Sequence, residues 1–245
     1  MKPYITAFIA FLLPNKLAFI ILNMMGHKIH SSARIGWSWL QCRYIEMGEN
    51  TKIGHLNLIR INELVLASKA SIRQFNRMKG PLDVHMESEA AIGNSNSIYR
   101  GDFPITTGTA KLALGKLAII TSKHHFDCTR SISIGNYTTI SGFSCQFWSH
   151  GFYHADTGRK RIRIDGEIVI GNNVSVGSRC LFNPGVRVGD CINIGGNCCV
   201  SKSLLTPGLY VAQPLRNINN SMEAIQAKLE KDEDFKLFDV YKKAV

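Results

Sequence analysis

From residue 164 the chain repeats itself every six residues. The blocks IDGEIV, IGNNVS, VGSRCL, FNPGVR, VGDCIN, IGGNCC and VSKSLL place Ile164, Ile170, Val176, Phe182, Val188, Ile194 and Val200 at the first position, each large and apolar. The second position is Asp165, Gly171, Gly177, Asn183, Gly189, Gly195 and Ser201. The fifth is Ile168, Val174, Cys180, Val186, Ile192, Cys198 and Leu204. A period of six excludes an amphipathic helix, whose period is 3.6, and a simple alternating strand, whose period is 2. One obligatory apolar residue followed by a small one describes a short strand and a tight corner, repeated. No such unit buries its apolar side chain alone, so the coils must stack. The same pattern, less regular, starts at Ile29, Ile35, Met47, Ile53, Leu66, Ile72, Met86, Ile92, Leu114, Ile120, Ile134 and Ile140, with breaks that imply loops or bulges. Residues 29–211 therefore read as one all-β solenoid.

The flanks differ. In residues 1–28, Tyr4 to Leu13 is apolar, Pro14-Asn15-Lys16 interrupts, and Leu17 to Met25 is again mostly apolar. A bilayer span needs about 20 uninterrupted apolar residues, and neither half reaches that. A signal peptide is disfavoured because no small-x-small cleavage site follows. Two short helices are expected, packed on the body or lying in a membrane interface. Residues 212–245 read as a tail and an amphipathic helix over 219–243, with Met222, Ile225 and Leu229 on one face and Asn220 or Ser221 as its cap.

The chain has 29 Lys plus Arg against 18 Asp plus Glu, a net charge of +11, which suits anionic partners such as phosphates, acidic sugars or a lipid surface. The densest basic cluster, Arg159, Lys160, Arg161 and Arg163, is short, and nothing resembles a nucleic-acid arm. A 45% hydrophobic content supports a real core and excludes a disordered chain. Seven cysteines without a CxxC pair read as free thiols of a reducing compartment. Cys180 and Cys198, at the fifth hexad position, read as packing residues.

The register breaks after Ile140. Residues 142–161, GFSCQFWSHGFYHADTGRKR, are expected to leave the solenoid as a loop, with its working part over about 146–163. A long excursion from a rigid scaffold is a common seat of function. This one carries His150, His154 and Asp156 as titratable groups. Trp148, Phe152 and Tyr153 would either face a sugar ring or pack the loop down.

At this point the sequence resembles the hexapeptide-repeat acyltransferases. IGNNVSVGSRCLFNPGVRVGDCINIGG, VSKSL and QPLRNI are similar to the second half of the maltose and galactoside acetyltransferases. ITSKHHFDC and ISIGNYTTISGFSCQFWSHG are closer to the O-acetyltransferases of bacterial capsule and O-antigen assembly. The resemblance implies a left-handed parallel β-helix, a homotrimer with sites between subunits, and acetyl-CoA as co-substrate without a metal. It implies His150 of WSHG as general base, with His124 and Asp127 of KHHFDC in the same site. His125 is a spare candidate and His154 an alternative base. Gly177, Ser178, Gly195 and Gly196 would border the pantetheine arm, and Lys202 and Arg216 would meet coenzyme A phosphates. Trp148, Tyr153, Arg159 and Arg161 would meet the acceptor. The chain departs from the family at Ala212-Gln213, where a Gly-rich lead is usual, and at Ser175, where a Trp is frequent.

The function implied is O-acetylation of a sugar hydroxyl on a bacterial surface glycan or its lipid-linked precursor, in the cytoplasm or at the inner face of its membrane. The rivals are N-acetylation of an amino sugar, a non-catalytic β-helix scaffold, and a zinc hydration site of the γ-class carbonic anhydrase type built from His124, His125 and His150, which lacks the expected ligand spacing.

Overall fold

The structure, a computed structural model, describes residues 1–154, 156, 161–212, 227, 229–232 and 240–243. The chain divides into two units, Met1–Ala212 and Gln213–Val245.

The first unit is a parallel β-solenoid. One face carries nine short strands, from Arg34–Ile35 to Gly208–Tyr210, one per coil. A fourteen-stranded sheet supplies the other two faces, because Trp39–Met47 and Leu58–Leu66 run through the corner between them. Leu58–Leu66 pairs with Arg77–Lys79 through its first half and with Leu82–Met86 through its second.

Register follows the hexads. Ile53, Ile72, Ile92, Ile120, Ile140, Val176 and Ile194 stack directly on one another along the nine-stranded face. All are buried. On a second face Phe126, Phe147 and Phe182 stack ring on ring at 4.5 and 4.4 Å. The second hexad position is small because the next coil passes against it. A Cβ on Gly135 would lie 2.5 Å from the Gly171 backbone.

The fourth position carries a requirement that the sequence pattern did not reveal. Asn50, Leu56, Lys69, Phe75, Glu89, Tyr137, Asn173 and Arg179 all turn the corner with φ between 53° and 61°. This left-handed backbone is uncommon for residues with a Cβ. The corner's own hydrogen bonds hold it in place, as when Lys69 N–H donates to Glu49 O and Asn173 N–H to Asn136 O.

Inside one corner runs a polar ladder. Asn57 donates through Nδ2 to Ser38 Oγ (3.2 Å) and to Arg73 O (2.7 Å). Asn76 and Asn96 each donate in turn to the Oδ1 of the asparagine one coil earlier, at 3.1 Å. His124 continues the ladder, its N–H donating to Asn96 Oδ1. Cys145, Cys180 and Cys198 extend the same corner, with Cys145 and Cys180 donating to Gly177 O and Gly195 O. All seven cysteines are free thiols, and Cys180 and Cys198 are buried packing residues.

Two helices close the first coil. Helix α1 spans Lys2–Leu12 and α2 Asn15–Met24, parted at Leu13-Pro14, where proline forces the preceding residue to be extended. Ala7 and Ala10 of α1 and Ala18, Phe19 and Leu22 of α2 face inward. His27 anchors them. Its Nδ1 accepts from Ile45 N–H, so its Nε2–H donates to Thr6 Oγ1. Burial lowers its pKa to about 4. Among the described residues no helix is long and apolar enough to cross a membrane.

Three expectations need correction. Ile164 is exposed on a hairpin strand, and the unbroken hexads begin at Ile170. Residues 142–149 stay in the solenoid, because one extra residue after Ile140 shifts the pattern and lets Cys145 and Phe147 fill the fifth and first positions. The excursion is narrower than expected. It is an antiparallel hairpin of His150–His154 with Arg161–Asp165. In the second unit, Leu229–Asp232 pairs antiparallel with Val240–Lys243, where a helix over 219–243 was expected. Asn220 and Ser221 lie outside the described residues.

Candidate active site

Two excursions leave the solenoid at the same corner. One, residues 101–108, follows strand Ser97–Tyr99; the other is the hairpin after Gln146–Trp148. The coil between them carries Asp127, which ends strand His125–Asp127 and pairs in register with both neighbours, Tyr99 and Trp148. Asp127 and the hairpin's first residue, His150, therefore meet in the notch between the two excursions.

Their side chains form a dyad. His150 Nδ1 lies 2.9 Å from Asp127 Oδ1. A carboxylate only accepts, so Nδ1 carries the proton and Nε2 presents a lone pair. Asp127 is 4% exposed, and the imidazole side chain is one-quarter exposed. Asp127 Oδ1 also accepts from Thr129 N–H (3.2 Å), and Ser149 Oγ lies 3.3 Å from it while donating to Asp127 O at 2.7 Å. Ser149 Oγ accepts from Arg130 N–H at 2.8 Å. Thr129 Oγ1 stands 3.1 Å from His150 Nδ1. The carboxylate is thus held by Thr129 N–H with Ser149 Oγ beside it, and it fixes one ring nitrogen. The Phe152 ring stands edge-on to the imidazole at 5.8 Å.

Ion pairs set the root of the hairpin. Asp165, opposite His150 across the hairpin, meets Arg163 Nε at 2.7 Å and Nη2 at 2.9 Å, and Arg130 Nε at 3.5 Å. Arg163 Nη1 also donates to Ile105 O, tying the hairpin to the other excursion. That loop is rooted by Arg100, 1% exposed, whose guanidinium donates to Pro81 O, Thr107 O and Gly108 O. Desolvation lowers the Arg100 pKa.

The other expected site residues divide. His124 belongs to the interior ladder and not to the dyad. Its Nδ1 accepts from Cys145 N–H (3.1 Å), so Nε2–H donates to Thr121 Oγ1 (2.9 Å), and the residue is 2% exposed. Burial lowers its pKa to about 4, which keeps the ring neutral. Both nitrogens are committed, so no acceptor reaches it. His125 packs beside Trp148 at 5.0 Å between ring centroids, and burial lowers its pKa. Trp148 is half-buried and donates to Gln146 Oε1. Tyr153, His154 and Asp156 are exposed. Arg161 lies over the Phe152 ring at 4.9 Å. Arg159 and Lys160 lie outside the described residues, as does Arg216.

The glycines expected to border a cofactor have a reason within the solenoid. A Cβ on Gly177 would come 2.6 Å from Gly196 N, and one on Gly195 would come 3.2 Å from Val211. Ser178 Oγ accepts from Phe143 N–H, and Gly196 runs beside Ser178 O. Lys202 is exposed. Among the described residues, no three metal-ligating side chains converge.

Sequence reasoning missed Thr129, Ser149, Arg130 and Asp165. The one available signal was position: Ser149 immediately precedes His150, and Thr129 stands two residues after Asp127, the spacing of an Asx turn.

No family model matches the chain. A 61-residue stretch is 36% identical to the bifunctional protein GlmU of Cupriavidus pinatubonensis (strain JMP 134 / LMG 1197), over 25% of this chain and 13% of that protein. Among solved structures, the polySia-specific acetyltransferase NeuO is 16% identical with a TM-score of 0.45, over 85% of this chain and 94% of that one. The polysialic acid O-acetyltransferase OatWY is 16% identical with a TM-score of 0.42, over 80% and 90%. AntD, an N-acyltransferase from Bacillus cereus in complex with dTDP-4-amino-4,6-dideoxyglucose and coenzyme A, is 15% identical with a TM-score of 0.38, over 85% and 92%.

Proposed function

We propose that the protein transfers an acyl group, acetyl in the simplest case, from acyl-coenzyme A to a sugar hydroxyl, with His150 as general base. The observation that carries this reading is the His150–Asp127 pair, in which the carboxylate engages Nδ1 and leaves Nε2 as the nitrogen to take a proton in the reaction. The similarity of the hexads and of WSHG to hexapeptide-repeat acyltransferases supports it independently.

The chemistry balances with these groups alone. The acceptor hydroxyl donates to His150 Nε2. As its oxygen bonds to the thioester carbonyl carbon, its proton passes to Nε2. The imidazolium so formed is stabilised by Asp127 through Nδ1–H, the orienting role that a buried carboxylate plays beside a histidine base. The tetrahedral adduct then expels the coenzyme A thiolate, which takes the proton from Nε2, leaving an ester and a free thiol. No covalent enzyme intermediate is needed. Holding both substrates in the notch would supply about 7–11 kcal/mol of the barrier reduction.

In this reading Lys202 and Arg216 meet coenzyme A phosphates, and Trp148, Phe152, Tyr153, Arg159 and Arg161 border the acceptor. A glycan or its lipid-linked precursor is the acceptor class that suits a chain of net charge +11. A homotrimer, with the notch closed by a neighbouring copy, is part of the same proposal.

The test is thiol release from acetyl-CoA against a panel of sugars and amino sugars, with products identified by mass. Wild type should form an O-ester. His150→Ala should lose about 10²–10⁴-fold in kcat. Asp127→Asn should lose about as much with KM little changed. Transfer only to amines would replace the hydroxyl by an amino group as acceptor. Activity unchanged in His150→Ala would remove the base.

A further inference from the structure

The two helices that close the first coil have an outer face that capping does not explain. A solenoid's terminal cap ordinarily turns a polar side outward, because solubility requires it. Here α1 turns out Ile5, Phe8 and Leu12, and α2 turns out Leu17, Ile20 and Met24. Both sets follow the spacing i, i+3, i+7, so each helix carries one continuous apolar stripe. Their exposures run from 44% at Ile5 to 83% at Met24. The helices are held rigidly: Phe8 and Phe11 pack on Trp39 at 5.0 and 6.2 Å, and Asn23 bonds both N–H and C=O of Ile29.

Charge identifies the occupant. Residues 1–45 contain no Asp or Glu, while Lys2 and Lys16 stand exposed beside the stripes. A groove of about 1350 Å³ starts at Asn15, the first residue of α2, and runs across the first coils. Arg34, Lys52, Lys69 and Arg73 line it, and no acidic residue does. An apolar stripe edged by cations matches a surface with an apolar layer under a negative one. The same cap of a second copy would bring cations and no Asp or Glu against it.

We infer that this end of the solenoid docks on an anionic lipid bilayer, with the α1–α2 stripes sunk into the interface and the flanking cations on the headgroups. Helices of 11 and 10 residues lie in the interface and do not span it. The inference is independent of the acyl-transfer reading. If both hold, docking would bring the acceptor notch to a lipid-linked sugar.

The experiment is co-flotation of the full chain with vesicles of phosphatidylcholine, alone or mixed with phosphatidylglycerol. Binding should be strong only to the mixed vesicles and should fall at least about tenfold as salt rises. Leu12→Glu with Ile20→Glu, at 67% and 60% exposed positions, should abolish flotation while the melting temperature and soluble-substrate activity stay at wild-type values. Leu209→Glu, an equally exposed apolar residue at the far end, should float normally. Absence of binding to mixed vesicles by a folded, active wild type would overturn the inference. So would a double variant that still floats, or one that no longer floats because a wild-type oligomer has dissociated, which would make the stripes a contact between copies.

Discussion

At the residue scale, two histidines have opposite fates: His150, paired with Asp127, and His124, three residues before Asp127 in the chain. His150 engages one nitrogen with a carboxylate, and in the proposed reaction the other takes a proton. His124 gives up both, to a backbone N–H and a threonine hydroxyl. The distinction carries a stability signature. The His124 pKa falls from 6.5 unfolded to about 4 folded through burial, so the folded state resists protonation. Its contribution is fully present above pH 6.5 and is lost as pH falls from there through 4, by about 3 kcal/mol in all. His27, lowered equally, acts in the same window. His124→Asn would continue the asparagine ladder of Asn57, Asn76 and Asn96. It should keep stability near neutral pH within about 1 kcal/mol and make the acid limb of a urea-unfolding series shallower. His124→Ala, which leaves Cys145 N–H without its acceptor, should cost about 2 kcal/mol at neutral pH. An acid limb unchanged in His124→Asn would contradict the assignment.

At the element scale, the coil is held by close backbone passage as much as by the apolar stack. Gly135→Ala would set a Cβ 2.5 Å from backbone that has nowhere to go. It should cost about 2–4 kcal/mol, measured by denaturant unfolding, although Gly135 touches no substrate residue. A change within 0.5 kcal/mol would mean the coils are free to shift apart.

The hexads were legible because their information is local: each first-position residue announces its own burial, and the parallel stack follows. The excursion's edges were not. Cys145 and Phe147 rejoin the stack after a single-residue shift, and the hairpin depends on pairing His150 with Asp165, which lie far apart in the sequence. The ladder was equally hidden, since Asn57, Asn76, Asn96 and His124 become neighbours only once coils stack. WSHG and KHHFDC marked His150 and Asp127 for one site, and their hydrogen bond appears only in the structure. Thr129 and Ser149, which fix the carboxylate, are residue types too common to stand out.

At the scale of the first unit, the solenoid keeps the apolar cap and the His150–Asp127 dyad on different coils. The apolar, basic cap lies at the first coil, and the dyad spans the fifth and sixth, between excursions tied by Arg163. If a neighbouring copy closes each notch, sedimentation velocity should give three chains at concentrations where the protein is active. An active monomer would reduce the site to one chain.

The most direct test of the dyad is the steady-state rate of thiol release from acetyl-CoA in the presence of a sugar acceptor, compared between His150→Gln and His124→Asn. The account predicts a loss of about 10²-fold or more in the first and a rate within about threefold of wild type in the second. The reverse ordering, or equal rates, would contradict it.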